Sequence, residues 1–222
     1  MKKMHTRAGL RAGLMGGLAM AAFASASAEA RIVRIEITGK ESPTFGGKSF
    51  GAAGQYEKLT GRAHGEVDPR DPKNAVIVDI QNAPKNARGM VEYNTDIAIL
   101  KPNDNAKGNR KIWFEVNNRG NTPAYSLMNE SDPDFSKALK EEDAGNGFLM
   151  RQGYAVLQAG WDASAPTVPG SFNIRVPVAK NADGTPITGP SMEEYVIDDD
   201  KTMQGRLSYP AASLDKAKAA LT

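Results

Sequence analysis

Hydrophobic and polar residues nearly alternate along Arg31-Ile32-Val33-Arg34-Ile35-Glu36-Ile37-Thr38, and with this Ile/Val content the pattern predicts a β-strand. The glycine-rich FGGKSFGAAG over 45–54 interrupts it as a loop. Alternation resumes from Tyr56 to Val67 and stops at the turn-forming Asp68-Pro69-Arg70-Asp71-Pro72. Val76 to Ile80 and Met90 to Leu100 predict two more strands, and Asn103 to Arg110 a polar turn. To this point the chain reads as consecutive antiparallel strands.

The pattern changes after Lys111. Ile112 to Val116 is a compact apolar strand running into Asn117-Asn118-Arg119-Gly120. Pro133, at a favoured first-turn position, predicts a helix through Lys140. A second helix over Phe148 to Arg151 stops at Gly153, a natural residue just past a helix end. Tyr154 to Gly160 is another apolar strand, ending at Trp161-Asp162. Strand, helix and apolar strand make a βαβ unit, whose strands should be parallel neighbours. From Pro166 the pattern returns to β, with Phe172 to Val178 and the residues from Ile187 flanking Asp183-Gly184 as a hairpin. Ser213 to Thr222 is Ala/Lys/Leu-rich and predicts the start of a helix.

The first 30 residues differ from the rest. Lys2, Lys3, Arg7 and Arg11 precede an uncharged run from Ala12 to Ala28, with small-residue exits at Ala26-Ser27-Ala28 or Ala28-Glu29-Ala30. This is the make-up of a secretory signal peptide, too short and weakly apolar for a spanning helix, and implies a periplasmic or secreted chain with no stable membrane span once the leader is cut. The leader also carries the positive charge. The whole chain has 28 Lys+Arg against 26 Asp+Glu; without four basic groups and one acid, 24 face 25, a net charge of −1. That removes the electrostatic case for nucleic-acid binding. With no cysteine there are no disulfides, no thiolate metal sites and no Cys nucleophile.

Little catalytic chemistry can be assembled. Gly46-Gly47-Lys48-Ser49 resembles the end of a phosphate loop, but Ser42 stands where that loop needs glycine, and Gly51 and Gly54 oppose the helix that must follow. The histidines are His5 and His64; the latter lies in an alternating strand with Arg62 and Glu66 and reads as a surface or packing residue. Asp198-Asp199-Asp200 lacks the spaced ligand pattern of a calcium loop, so no metal or cofactor is expected. Asn129-Glu130-Ser131 matches a glycosylation sequon. Asp162, just beyond an apolar strand, reads as a loop cap at the edge where α/β sheets meet ligands. No G-x-S-x-G elbow occurs, and no catalytic residue is identifiable.

The phrases SFGAAGQYEKLTGRAHGEVDPRDPKNAVIVDI, NARGMVEYNTDIAIL, WFEVNNRGN, DAGNGFLMRQGYAVLQAGWD and TGPSMEEY together resemble the bacterial alpha/beta hydrolase domain-containing proteins, over Arg31 to Ala212. The resemblance implies that Ile112 to Val116 precedes an oxyanion loop, with Asn117, Asn118, Arg119 and Gly120 as its candidates. It also implies a small-molecule ester or acyl substrate, and a serine nucleophile, acid and histidine in chain beyond Thr222. The expected fold is therefore mixed α/β: a leader over 1–30, a β-rich region over 31–110, and the first part of an α/β-hydrolase-like domain over 111–222. The chain alone is expected to be inactive. A second reading is a periplasmic β-rich ligand-binding or interaction module without catalysis.

Overall fold

The computed structural model describes residues 30–205, 207 and 209–215. Residues 1–29 of the expected leader over 1–30 and the end of the predicted C-terminal helix, 216–222, lie outside the described residues; 213–215 are not helical.

The fold is mixed α/β, built on one mixed sheet. Its strands are β1 (Arg31–Glu41), β2 (Tyr56–Val67), β3 (Val91–Pro102), β4 (Ile112–Glu115), β5 (Ala155–Ala159) and β6 (Ile174–Arg175). The order is β1-β2-β3-β5-β4, and β6 pairs with β3 beside β5. β1, β2 and β3 are antiparallel as the alternation predicts, with β2 and β3 in unbroken register from Tyr56 opposite Pro102 to Val67 opposite Val91. β4 and β5 are parallel, as the βαβ reading requires. β3 and β5 are hydrogen-bonded neighbours, so the β-rich segment and the α/β segment share the sheet.

Residues directly opposite in a ladder share a face. Glu41, Lys58, Leu100, Val156 and Trp113 form one row across five strands. Over that face lies the core, with Phe45, Phe50, Tyr56, Tyr125, Phe135, Leu139, Leu149 and Met150. Its rings meet edge to face, Phe45 to Phe50 and Phe50 to Tyr56 both at 5.5 Å between centroids. The next row, Lys40, Leu59, Ile99, Leu157 and Phe114, belongs to the opposite face. That face is partly open: Ile112 and Phe114 are 65% and 53% exposed.

Three expectations are corrected. Val76 to Ile80 is not a strand. The Asp71 carboxylate accepts the Lys73 N–H at 2.9 Å and the Asn74 amide donates to the Asp68 carbonyl at 2.9 Å, which tightens Pro72–Val76 into a 3-10 turn. Asp79 then takes a left-handed φ of 56°. β2 already has β1 and β3 on its two sides, so a strand after β2 would find no open edge there. Val76 and Val78 end up 84% and 85% exposed, while Ile80 and Ala83 make a small core with Val67 and Val91.

Pro133 to Lys140 is not a helix. Lys58 Nζ donates to the carbonyls of Phe135, at 3.3 Å, and Lys137, drawing away acceptors a helix would use. The Asp134 carboxylate instead takes the Ser136 N–H and hydroxyl, a local turn that competes with helix. The helix in this stretch is α1 (Pro123–Asn129), where Pro123 occupies the first turn; α2 (Phe148–Arg151) ends before Gly153 as expected. Finally, the strand predicted over Phe172 to Val178 shrinks to β6. The Asp183-Gly184 hairpin survives as a turn beside one bridge, Lys180 to Pro186, with no strand from Ile187 onward among the described residues.

Candidate functional site

The loop after β4 packs against the loop after β5. Asn117 is buried, its side-chain amide donating to the Ala159 carbonyl at 2.8 Å. Its backbone carbonyl accepts the Trp161 indole N–H at 2.6 Å. Asn118 and Asn121 exchange two backbone hydrogen bonds, both at 3.1 Å, closing a tight turn. Between them Arg119 takes φ 48° and Gly120 φ 95°. Glycine is required at 120 on two counts: the positive φ, and a Cβ there would lie 2.2 Å from Ser171 Oγ.

Arg119 fastens the turn from outside. Its Nε donates to Asp162 Oδ2 at 2.8 Å and its Nη2 to the Ser164 hydroxyl at 2.7 Å. Asp162 also accepts the Ser164 N–H and hydroxyl, both at 2.7 Å, and so caps its loop. The Ser164 hydroxyl, its N–H and the Arg119 guanidinium together hold the Asp162 carboxyl below the usual carboxylate range.

Of the four oxyanion candidates, the turn itself takes up two backbone donors. The Gly120 N–H donates to Asn117 Oδ1 at 3.0 Å, and the Asn118 N–H to the Asn121 carbonyl. Beside the turn opens a cleft of about 590 Å³, lined by residues that include Asn118, Asn121, Thr122, Ser126, Asp134 and Ser171. Asp134 is held ionised, its pKa lowered to about 2 by the Ser136 hydroxyl and by Lys137. The lining has hydroxyls, amides and carboxylates but no histidine, lysine or arginine. It can hydrogen-bond a polar ligand; by itself it offers no base poised near neutrality.

Other singled-out residues stay apart from this cleft. His64 on β2 has Nε2 2.9 Å from both Glu36 Oε2 and Arg34 Nη2. Asn129 of the sequon is fully buried, its side-chain oxygen accepting the Leu149 N–H at 3.0 Å, so it presents no amide for glycosylation. Gly46-Gly47-Lys48 forms a short turn with no α-helix after it. Asp199 accepts the N–H groups of Lys201 and Thr202 as a turn cap. Among the described residues no group of three or more His, Asp or Glu side chains could hold a metal, and no helix is long and apolar enough to cross a membrane.

Sequence reasoning missed Trp161 and Ser171 as parts of this site. Trp161 directly follows a strand end, which was the available signal; Ser171 is far from the turn in sequence and carried none. Comparison with protein-family models, with curated proteins and with solved structures finds no match for this chain.

Proposed function

We propose that this chain is the N-terminal portion of an exported α/β-hydrolase-type protein, whose complete form is a serine esterase or acyl hydrolase, and that the chain alone is inactive. One observation carries the reading. β4 is a parallel edge strand whose Ile112 and Phe114 are exposed, whereas parallel strands ordinarily lie in the interior with both faces covered. A sheet of this kind calls for a further strand beside β4 and a helical layer over the open face. The polar turn at the carboxyl end of β4, with a cleft beside it, stands where open α/β sheets receive ligands. Because the Asn118 and Gly120 N–H groups bond within the turn and Asn117 is buried, the reading assigns the oxyanion donor to the Arg119 N–H. The basic and apolar leader supports export.

The test is the coding sequence downstream of codon 222. A G-x-S-x-G string followed by an acid and a histidine supports the reading; an unrelated gene overturns it. Turnover of p-nitrophenyl acetate by the purified chain, blocked by a serine-directed phosphonate, would overturn the claim of inactivity.

A ligand-binding module is the second reading. It draws on an apolar cleft of about 420 Å³ lined by Val67, Ile77, Val91, Tyr93, Ile174 and Val176 among others. Saturable binding of an apolar fluorophore such as ANS, abolished by Ile77→Glu, would favour it.

A further inference from the structure

β1 is the outer strand of the sheet, and among the described residues it pairs only with β2. Its far side therefore presents backbone N–H and C=O groups with no strand beside them. Folded proteins usually blunt such an edge by shortening it, covering it or loading it with charge. This edge runs for 11 residues and keeps Ile32, Val33, Ile35 and Ile37 exposed, Ile35 at 57%. At the other end of the sheet, β4 is only four residues long.

The sequence of β1 is self-complementary about Ile35. Val33 and Ile37 flank it two residues away on each side, and Arg34 and Glu36 one residue away with opposite charges. Arg34 and Glu36 share a face, since each is paired with a residue of β2 two apart, His64 and Arg62. Their head groups meet at 3.0 Å and both are about half exposed; both also reach His64 Nε2 on β2 at 2.9 Å, so pairing with a second copy would draw them from that contact across the edge. β-Bulges between Ile32 and Arg34 and between Ile37 and Gly39 bracket the regular stretch.

We propose that β1 is a self-recognition edge that pairs antiparallel with β1 of a second copy, about a two-fold axis through Ile35. Each Arg34 then faces Glu36 of the other copy and Ile35 faces its own counterpart, while Ile37, the last residue of the regular stretch, meets the bulge at Val33. The contact is isologous and closes at two copies. Charge fixes the register. Moving the axis by one residue sets Arg34 opposite Arg34 or Glu36 opposite Glu36, and like charges directly opposite destabilise a ladder. The bulges twist the flanking strand away and discourage longer slips. Pairing also brings the isoleucines of the open face together across the seam. β1 and β4 are opposite edges of the sheet, so this contact is independent of the hydrolase reading and leaves the β4 edge clear for it.

Sedimentation velocity of the purified chain tests the proposal, with a concentration-dependent dimer as the expected result. Arg34→Glu puts acid opposite acid twice in the dimer and should weaken it at least about tenfold, while Arg34→Glu with Glu36→Arg should restore it to within roughly threefold. Because the chain lacks cysteine, an introduced thiol reports the register. Ile35→Cys should form a disulfide-linked dimer under mild oxidation; Ile32→Cys should not, its two copies lying about 20 Å apart along the ladder. A monomer up to about 100 µM would overturn the proposal, well above the range of a specific contact. So would a dimer indifferent to both charge variants, or cross-linking through position 32 as readily as through 35.

Discussion

Arg119 and Asp162 tie the turn after β4 to the loop after β5, with Nε donating to Oδ2 at 2.8 Å. Asp162→Ala removes that anchor together with the two hydrogen bonds from Ser164, and should cost about 1–2 kcal/mol at neutral pH. The sign with pH follows from the depressed folded pKa. The stabilisation is complete above the ordinary carboxylate value near 3.8 and is lost as pH falls through the lower folded value. Urea midpoints of wild type and variant should therefore differ near pH 7 and converge at strongly acid pH. The Trp161 indole N–H rests on the Asn117 carbonyl, so its emission should shift in the variant.

Glu57 should govern a second acid-sensitive step. It is buried between Lys101, with Nζ 2.7 Å from Oε1, and Lys40, with Nζ 2.8 Å from Oε2. Burial alone would raise its pKa; the two lysine hydrogen bonds outweigh that and bring it from 4.5 to about 2. Its stabilisation is present above about pH 4.5 and disappears as pH falls toward 2. Glu57→Gln should lower stability by about 2 kcal/mol near neutrality and flatten the acid limb of a stability–pH curve, read by denaturant unfolding.

Lys58 pins the segment expected to be helical. Its ammonium is buried, 3.1 Å from Glu41 Oε2, and donates to the carbonyls of Phe135 and Lys137. Glu41 in turn accepts the Leu139 N–H at 3.0 Å. Lys58→Met leaves the part-buried Glu41 carboxylate without its cation and two carbonyls short of a donor, and should cost about 2 kcal/mol. Lys58→Met with Glu41→Gln should cost less than the sum of the single changes, which a double-mutant cycle in urea would measure.

Why the sequence was legible in some places and opaque in others follows from the same contacts. β2 and β3 read as strands and pack on the core, β1 alternates just as legibly although its side chains are largely exposed, and β4 and β5 read as apolar runs and form a parallel pair. Val76 to Ile80 carries the same strand composition, but sheet order decides there: β2 has no vacant side, and Asp71 and Asn74 close turns instead. The residues at 133–140 have helical composition, yet Lys58 and Glu41, distant in sequence, take their backbone groups. At the site, the turn over 117–120 was visible as a polar break after an apolar strand. That Asn117 would take the Gly120 N–H was not visible, because it depends on the chain reversing within three residues.

The open face near β4 supplies the last prediction. Phe114 and Leu157 lie side by side across the parallel ladder on the uncovered face, and Ile112 extends the patch. Exposed apolar surface on an edge strand drives association, and lysine there counters it. Ile112→Lys with Phe114→Lys should raise the solubility of the chain and reduce ANS binding, while shifting its melting temperature by no more than about 2 °C, because neither side chain belongs to the core. In a longer protein with a helical layer over this face, the same pair would bury two charges without partners, and expression and hydrolysis should collapse. A pair of lysines tolerated equally in both settings would mean that the face stays open, and the reading of an extended sheet would fall with it.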